Sequence, residues 1–272
     1  MSLDLQNLVA QIPDGASIAV PPSRSGVAMA ATRALIKRGV RNLHLTAVPT
    51  SGMQADMLIG AGCVGVMESA GVTLDEQGQA PRFVAAVKAG AIGLRDSTCP
   101  AIMSAVQAGE KGIPFIPIRG LIGSDLLRHR ADYKVIDNPM DDADPIVLLP
   151  AIVPDYAVFH APLADRFGNV WIGKARELMT MAHAARNTLV TVEEIAEYNL
   201  MSDSLRAPAC IPDLYVTSVA KAKNGAWPLG LEGCYQPDMD GLAAYADAAK
   251  TSAGFAEYMA GNLGRMQKTA AE

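Results

Sequence analysis

Hydrophobic residues along this chain come in two spacings. Short, mostly apolar runs at 17–20, 43–48, 64–67 and 91–94 are bounded by turn residues, which predicts strands buried on both faces. Between them apolar positions recur every three or four residues, which predicts helices. These are placed over 27–37, closed by Gly39, over 53–59, over 81–88, closed by Gly90, and over 101–107, followed by Gly109. A small amphipathic helix over 3–12 precedes the turn Pro13-Asp14-Gly15, and 115–118 predicts a further strand. Alternation of this kind predicts right-handed βαβ units and an α/β fold, an open, mostly parallel sheet flanked by helices. Beyond Ile146 the spacing tightens. Strands are expected at 146–150, 156–163 and 169–173, then a helix over 175–184 and strands at 188–192 and 214–216. An Ala-rich helix over 240–266 is expected to break near Gly254. The polar stretch 138–144 reads as a surface loop. With no internal repeat and no low-complexity linker, residues 1–272 are taken as one domain.

Composition narrows the class. Half of the 272 residues are hydrophobic but only 5% are aromatic, so the core must be aliphatic. A net charge of −5 and no basic patch longer than Arg128-His129-Arg130 argue against nucleic acid. No apolar segment has the length of a membrane span, and Asp4 falls where a signal peptide would be basic. Cys63, Cys99, Cys210 and Cys234 are far apart with no CxxC, the pattern of reduced thiols in a cytoplasmic protein. No His stands at metal-ligand spacing from another His or Cys, so no metal site is expected.

Ligands of open α/β sheets bind outside the carboxyl ends of the strands, so the residues after each strand are the candidates. After the first strand come Ser23, Arg24 and Ser25 ahead of a helix start, where free N–H groups attract anions. Arg24 could clamp a carboxylate or phosphate; equally, a serine caps the helix and Arg24 is solvated. Glu68 and Ser69 follow the third strand, where the carboxylate is either an acid–base group or a surface charge. Arg95, Asp96 and Ser97 precede Thr98 and Pro100, a helix-capping pattern, and Cys99 has no visible base. Arg119, Gly120, Gly123 and Ser124 follow a buried strand, where glycines permit close approach to a ligand. His44 and His160 sit inside apolar runs as hydrogen-bonded core or edge residues. Glu193-Glu194 ends the run TLVTV as a polar strand terminus, or as a pair for a cation or a subunit contact.

Several segments, in order, resemble the α-subunit of class I CoA-transferases. These are DGASIAV from Asp14, GAGCVGVMES from Gly60, KAGAIGLRD from Lys88 and GIPFIPIRGLIGSDLL from Gly112. DYAVFHAPLADRFGNVWIG, TLVTVEEIAE and IPDLYVTSVAKAKNGAWP follow, the last like the family's GGAHP-type turn. Glutaconate CoA-transferase is the most similar branch. The resemblance implies a sheet related to the ribose-phosphate isomerase and glucosamine-phosphate deaminase type. It implies CoA transfer from an acyl-CoA to a carboxylate through a glutamyl-CoA thioester. The nucleophilic glutamate would come from a β-subunit, with no catalytic residue in this chain. Coenzyme A thioester is then a substrate, and no cofactor is permanently bound. This chain would wall the site with Ser23, Arg24, Ser25, Glu68, Ser69, Arg95, Asp96, Ser97, Arg119, Gly120, Gly123 and Ser124. Two departures stand out. Pro21-Pro22-Ser23-Arg24 replaces a glycine-rich loop, and Arg95-Asp96-Ser97 stands where a ring-opening hydrolase branch carries a glutamate, which favours transferase over acyl-CoA hydrolase. A non-enzymatic small-molecule sensor on a related fold is the remaining reading, and it lacks a DNA-binding module.

Overall fold

The apolar runs become central strands because alternate side chains point to opposite faces and both faces are covered. A computed structural model describes residues 2–269. In chain order the first half holds β1 (Ser2–Leu3), α1 (Leu5–Ala10), β2 (Ser17–Val20), α2 (Met29–Arg38), β3 (Leu43–Ala47), α3 (Met53–Gly60), β4 (Val64–Ser69), α4 (Pro81–Lys88), β5 (Gly93–Asp96) and α5 (Cys99–Glu110). Next come β6 (Phe115–Ile118), α6 (Leu126–His129), β7 (Lys134–Asn138), β8 (Asp141–Pro150), β9 (Tyr156–Asp165) and β10 (Val170–Trp171). The chain closes with α7 (Arg176–Ala184), β11 (Asn187–Ala196), β12 (Cys210–Ile211), β13 (Ser218–Lys221), α8 (Met239–Ala248) and α9 (Ser252–Thr269).

The main sheet runs β1-β13-β11-β9-β2-β3-β4-β5 with every neighbour parallel, and β10 pairs antiparallel with β9 and β12. Ile18, Val20, Val158 and Leu189 face one side, where they pack with Leu8, Met29, Leu58, Tyr245 and Phe255. Ala19, Phe159, Val190 and Val192 face the other, against Ile102 and Val106 of α5 and Leu178 and Met181 of α7. The expected open parallel sheet between helical layers is the one found.

Four local expectations change. The run at Phe115–Ile118 does not join the parallel sheet; it pairs antiparallel with β8 in a separate sheet ordered β6-β8-β7. An apolar run signals a strand but not its neighbour. The polar stretch 138–144 is not a loop but the turn and start of the β7–β8 hairpin, with Asn138 opposite Asp141. Backbone pairing holds it extended whatever its side chains. Residues 214–216 are not a strand: Asp213–Tyr215 is a 3-10 turn, and pairing begins at Ser218 opposite Leu189. The C-terminal helix breaks after Ala248, not at Gly254. Gly254 lies inside α9, where a Cβ would stand 2.6 Å from the Ala248 carbonyl oxygen, so glycine here permits close approach.

Candidate functional site

The chain crosses its own strand order once at the centre of the sheet. From β2 it steps through β3 and β4 to β5 at one edge; from β9 it steps through β11 to β13 on the other side. The β2–β9 seam is therefore a topological switch point, where the flanking connections diverge and leave a crevice beyond the carboxyl ends. β9 deepens that crevice. Its pairing with β2 ends at Ala157, yet it continues beside β11 to Asp165. Two cavities open at the seam, of about 350 and 280 Å³. Ser23, Arg24, Met53, Tyr235 and Tyr245 are among the residues lining the larger; Arg24, Ser25, Gly26, His160, Trp171 and Lys174 among those lining the smaller. Arg24 and the turn 231–233 border both.

Local sequence shapes this loop tightly. Ser25 N–H donates to the Pro22 carbonyl, and Gly26 turns at φ 68°. The Gly26 carbonyl accepts from His160 N–H at 2.6 Å, and a Cβ at Gly26 would sit 2.2 Å from the His160 carbonyl oxygen. Only glycine fits there. Arg24 is exposed and paired with Glu76, while Lys174 reaches Glu232 at 2.8 Å across the smaller cavity's rim.

Behind the crevice stands Glu193 on β11. Its Oε1 accepts from His160 Nε2 at 2.7 Å, Tyr235 Oη at 2.9 Å and Gly225 N–H at 3.0 Å; its Oε2 accepts from Asn224 N–H at 2.8 Å. Burial would raise this carboxyl, but the His160 hydrogen bond, the Asn224 N–H, the Tyr235 hydroxyl and the Gly225 N–H outweigh it and bring it down to about 2. An ionised carboxylate only accepts, so His160 Nε2 carries the proton. Nδ1 on the other side of the ring lies 2.8 Å from the Thr191 hydroxyl. Burial first, and then the neighbouring carboxylate, keep the Tyr235 phenol protonated well above its ordinary range.

The other predicted residues do not meet Ser23–Ser25 at the seam. By strand alternation Glu68 and Arg95 point to one face of the sheet, under β6-β8-β7, where they line a third cavity of about 320 Å³ with Arg130, Asp132 and Tyr133. Glu68 Oε1 accepts from Arg130 Nη2 at 2.7 Å and Oε2 meets His44 Nε2 at 3.1 Å; Arg95 Nη2 reaches Asp132 at 2.6 Å. Burial would raise the Glu68 carboxyl, but the His44 hydrogen bond and the Arg130 and Arg95 charges hold it below its usual range. Glu68 is thus buried and paired rather than a surface charge. Ser69 is buried and its carbonyl accepts from Ser97 N–H; Asp96 Oδ1 accepts from the same N–H, and Ser97 Oγ lies 3.0 Å from the Tyr133 hydroxyl. Thr98 caps α5, as its residue type predicts. Arg119 is exposed and bonds Asp144 at 2.8 Å, in the small sheet. Gly120, Gly123 and Ser124 follow it in the turn before α6 and line none of the three cavities. His160, Glu193, Tyr235 and Lys174 are absent from the expected site residues. For His160 and Glu193 the one visible signal is polarity inside or at the end of an apolar run.

A sequence model of the family described as Coenzyme A transferase matches residues 3–222. The chain belongs to that family. The A subunit of 3-oxoadipate CoA-transferase from Pseudomonas knackmussii is 31% identical over 84% of this chain and 80% of its own length. An uncharacterised Archaeoglobus fulgidus protein is also 31% identical, over 82% of this chain, but the chain spans only half of that protein's length. A cholesterol ring-cleaving hydrolase subunit from Rhodococcus jostii is 28% identical over 85% of this chain and 81% of its own. Among solved structures, glutaconate coenzyme A-transferase from Acidaminococcus fermentans superposes with a TM-score of 0.86 at 26% identity, covering 94% of this chain and 86% of that one. The decarboxylase AibA/AibB superposes at 0.84 and 27% identity, over 97% and 98%. This CoA-transferase chain is of the α type, as the resemblance in its motifs implied, and no helix among the described residues is long and apolar enough to cross a membrane.

Proposed function

We propose that the chain is one half of a two-subunit CoA-transferase and that the seam crevice is its half of the site. In this reading a glutamate from the β-subunit is the nucleophile and attacks the thioester carbonyl of an acyl-CoA. CoA thiolate leaves and then attacks the resulting anhydride, which frees the first acid and gives a glutamyl-CoA thioester. An acceptor carboxylate takes the glutamyl group as a second anhydride, and returning CoA thiolate yields the new acyl-CoA and regenerates the glutamate. Splitting the transfer into steps lowers each barrier. Ser23, Arg24 and Ser25 supply polar groups on this chain's wall, with Arg24 offering a guanidinium to a carboxylate in place of Glu76.

The observation that carries the assignment of the nucleophile to the partner is the engagement of Glu193. Both of its oxygens are occupied by donors, so its lone pairs are committed to the fold. Glu68 is likewise buried against Arg130. The test is reconstitution. The chain alone should show no CoA transfer, and mixing with its β-subunit should restore it. Hydroxylamine trapping followed by mass spectrometry should place the glutamyl adduct on the partner. An adduct on a glutamate of this chain, including Glu177 at the rim of the smaller cavity, would sink the proposal. CoA release without any acceptor acid would favour the hydrolase reading instead.

A further inference from the structure

We infer that Glu193 is a positioning residue, one carboxylate that sets the spacing of the two walls of the seam crevice through His160 and Tyr235. The inference rests on the crevice being the site proposed above. Glu193 lines neither seam cavity, but its partners do: His160 lines the smaller and Tyr235 the larger. On one side His160 is tied to the loop after β2, since its N–H donates to the Gly26 carbonyl. On the other, its ring packs against Gly225, where a Cβ would lie 2.4 Å from the His160 Cε1. Gly225 in turn gives its N–H to Glu193 and its carbonyl to Ala30 N–H at the start of α2. Tyr235, which donates to Glu193 and accepts from Ala226 N–H at 2.9 Å, closes the turn 231–235 that borders both cavities. The loop 224–235 therefore meets Glu193 directly, and the loop after β2 joins the same network through the His160 backbone.

A carboxylate is required by donor arithmetic. Four donors converge on two oxygens, and two of them, the Asn224 N–H on Oε2 and the Gly225 N–H on Oε1, are backbone donors that cannot be reversed. Glutamine offers one acceptor oxygen and an NH₂ that would face an N–H or O–H donor. Glu193→Gln keeps the volume and turns at least one hydrogen bond into a repulsion, so the loops separate without a cavity being made.

The chain has two tryptophans, Trp171 in the smaller cavity's lining and Trp227 in the 224–235 loop, so intrinsic fluorescence reads both walls. The experiment uses the chain assembled with its partner, as wild type, Glu193→Gln and the milder Tyr235→Phe. It measures acrylamide quenching, free CoA binding by titration calorimetry, KM and kcat for transfer, and the melting temperature. The expected result is greater quenching, a Kd for CoA weakened about tenfold in Glu193→Gln and less in Tyr235→Phe, and a KM that rises while kcat stays within about twofold. Unchanged quenching and CoA affinity in both variants would overturn the inference, as would a lowered melting temperature with affinity intact. A wild-type assembly with no CoA affinity would overturn the functional reading instead, and the inference would then be judged by quenching alone.

Discussion

At the scale of single residues, the chain spends its strictest requirements at the seam. Gly26 combines a left-handed backbone with contact to the β9 carbonyl, so Gly26→Ala should cost more than about 2 kcal/mol, read as a lowered urea midpoint with unchanged slope. Glu193 makes a second prediction, about pH. Its carboxyl is brought from 4.5 to about 2 in the fold. A depressed carboxyl stabilises the folded state above the unfolded pKa, and that stability is lost as pH falls through the folded one. Wild type should therefore lose up to about 3 kcal/mol between pH 5 and 2 through this group, a loss absent from Glu193→Gln. Urea titrations of both proteins across that range check it. The thiols give a third outcome. Cys99 and Cys234 are exposed while Cys63 and Cys210 are buried, and burial pushes the Cys210 thiol up to about 11. Ellman's reagent should find two reactive thiols in the folded chain and four in urea.

At the scale of elements, the small sheet β6-β8-β7 is joined to the main sheet by a charged cluster as well as an apolar one. Arg130 is buried, bonds Glu68 and Asp132, and stacks 3.9 Å over the Tyr133 ring. Removing one member of such a cluster leaves a buried charge unpaired, which costs about 3–5 kcal/mol. Arg130→Met should release the small sheet ahead of the core, and hydrogen exchange should show lost protection at 115–150 with the β2, β9 and β11 amides still protected. The HAPLADRFGN stretch belongs at this scale too. Asp165 caps the β9–β10 turn by accepting from the N–H groups of Phe167, Asn169 and Leu200, so its carboxylate is structural, as the turn residues Gly168-Asn169 suggest.

At the scale of the whole molecule, the parallel order of the sheet and the length of β9 create the crevice, and no single element contains it. The Ser23–Ser25 loop, the β9 strand and the 224–235 loop come from distant parts of the chain. The same scale decides activity: the chain alone should be inactive and the reconstituted pair active.

How much is legible follows from how far each signal reaches along the chain. Strands, helices and the α/β class come through because hydrophobic periodicity is a local property, and family membership because several motifs keep their order. His44 and His160 can be read as hydrogen-bonded core or edge residues from their apolar surroundings. Which strand pairs with which is non-local, so periodicity alone gives Phe115–Ile118 to the wrong sheet. Glu68 and Arg95 end consecutive strands like residues at a binding edge, but side-chain alternation turns them onto the sheet face. Glu193 looks like a strand's polar end because its four donors, from His160, Asn224, Gly225 and Tyr235, lie about thirty to forty residues away in sequence. The sequence by itself determined the elements, the layers and the lineage, since these rest on local spacing and motif order. Only the tertiary structure decided which polar residues share a site, because that depends on where strand order reverses and which buried donors converge on one carboxylate.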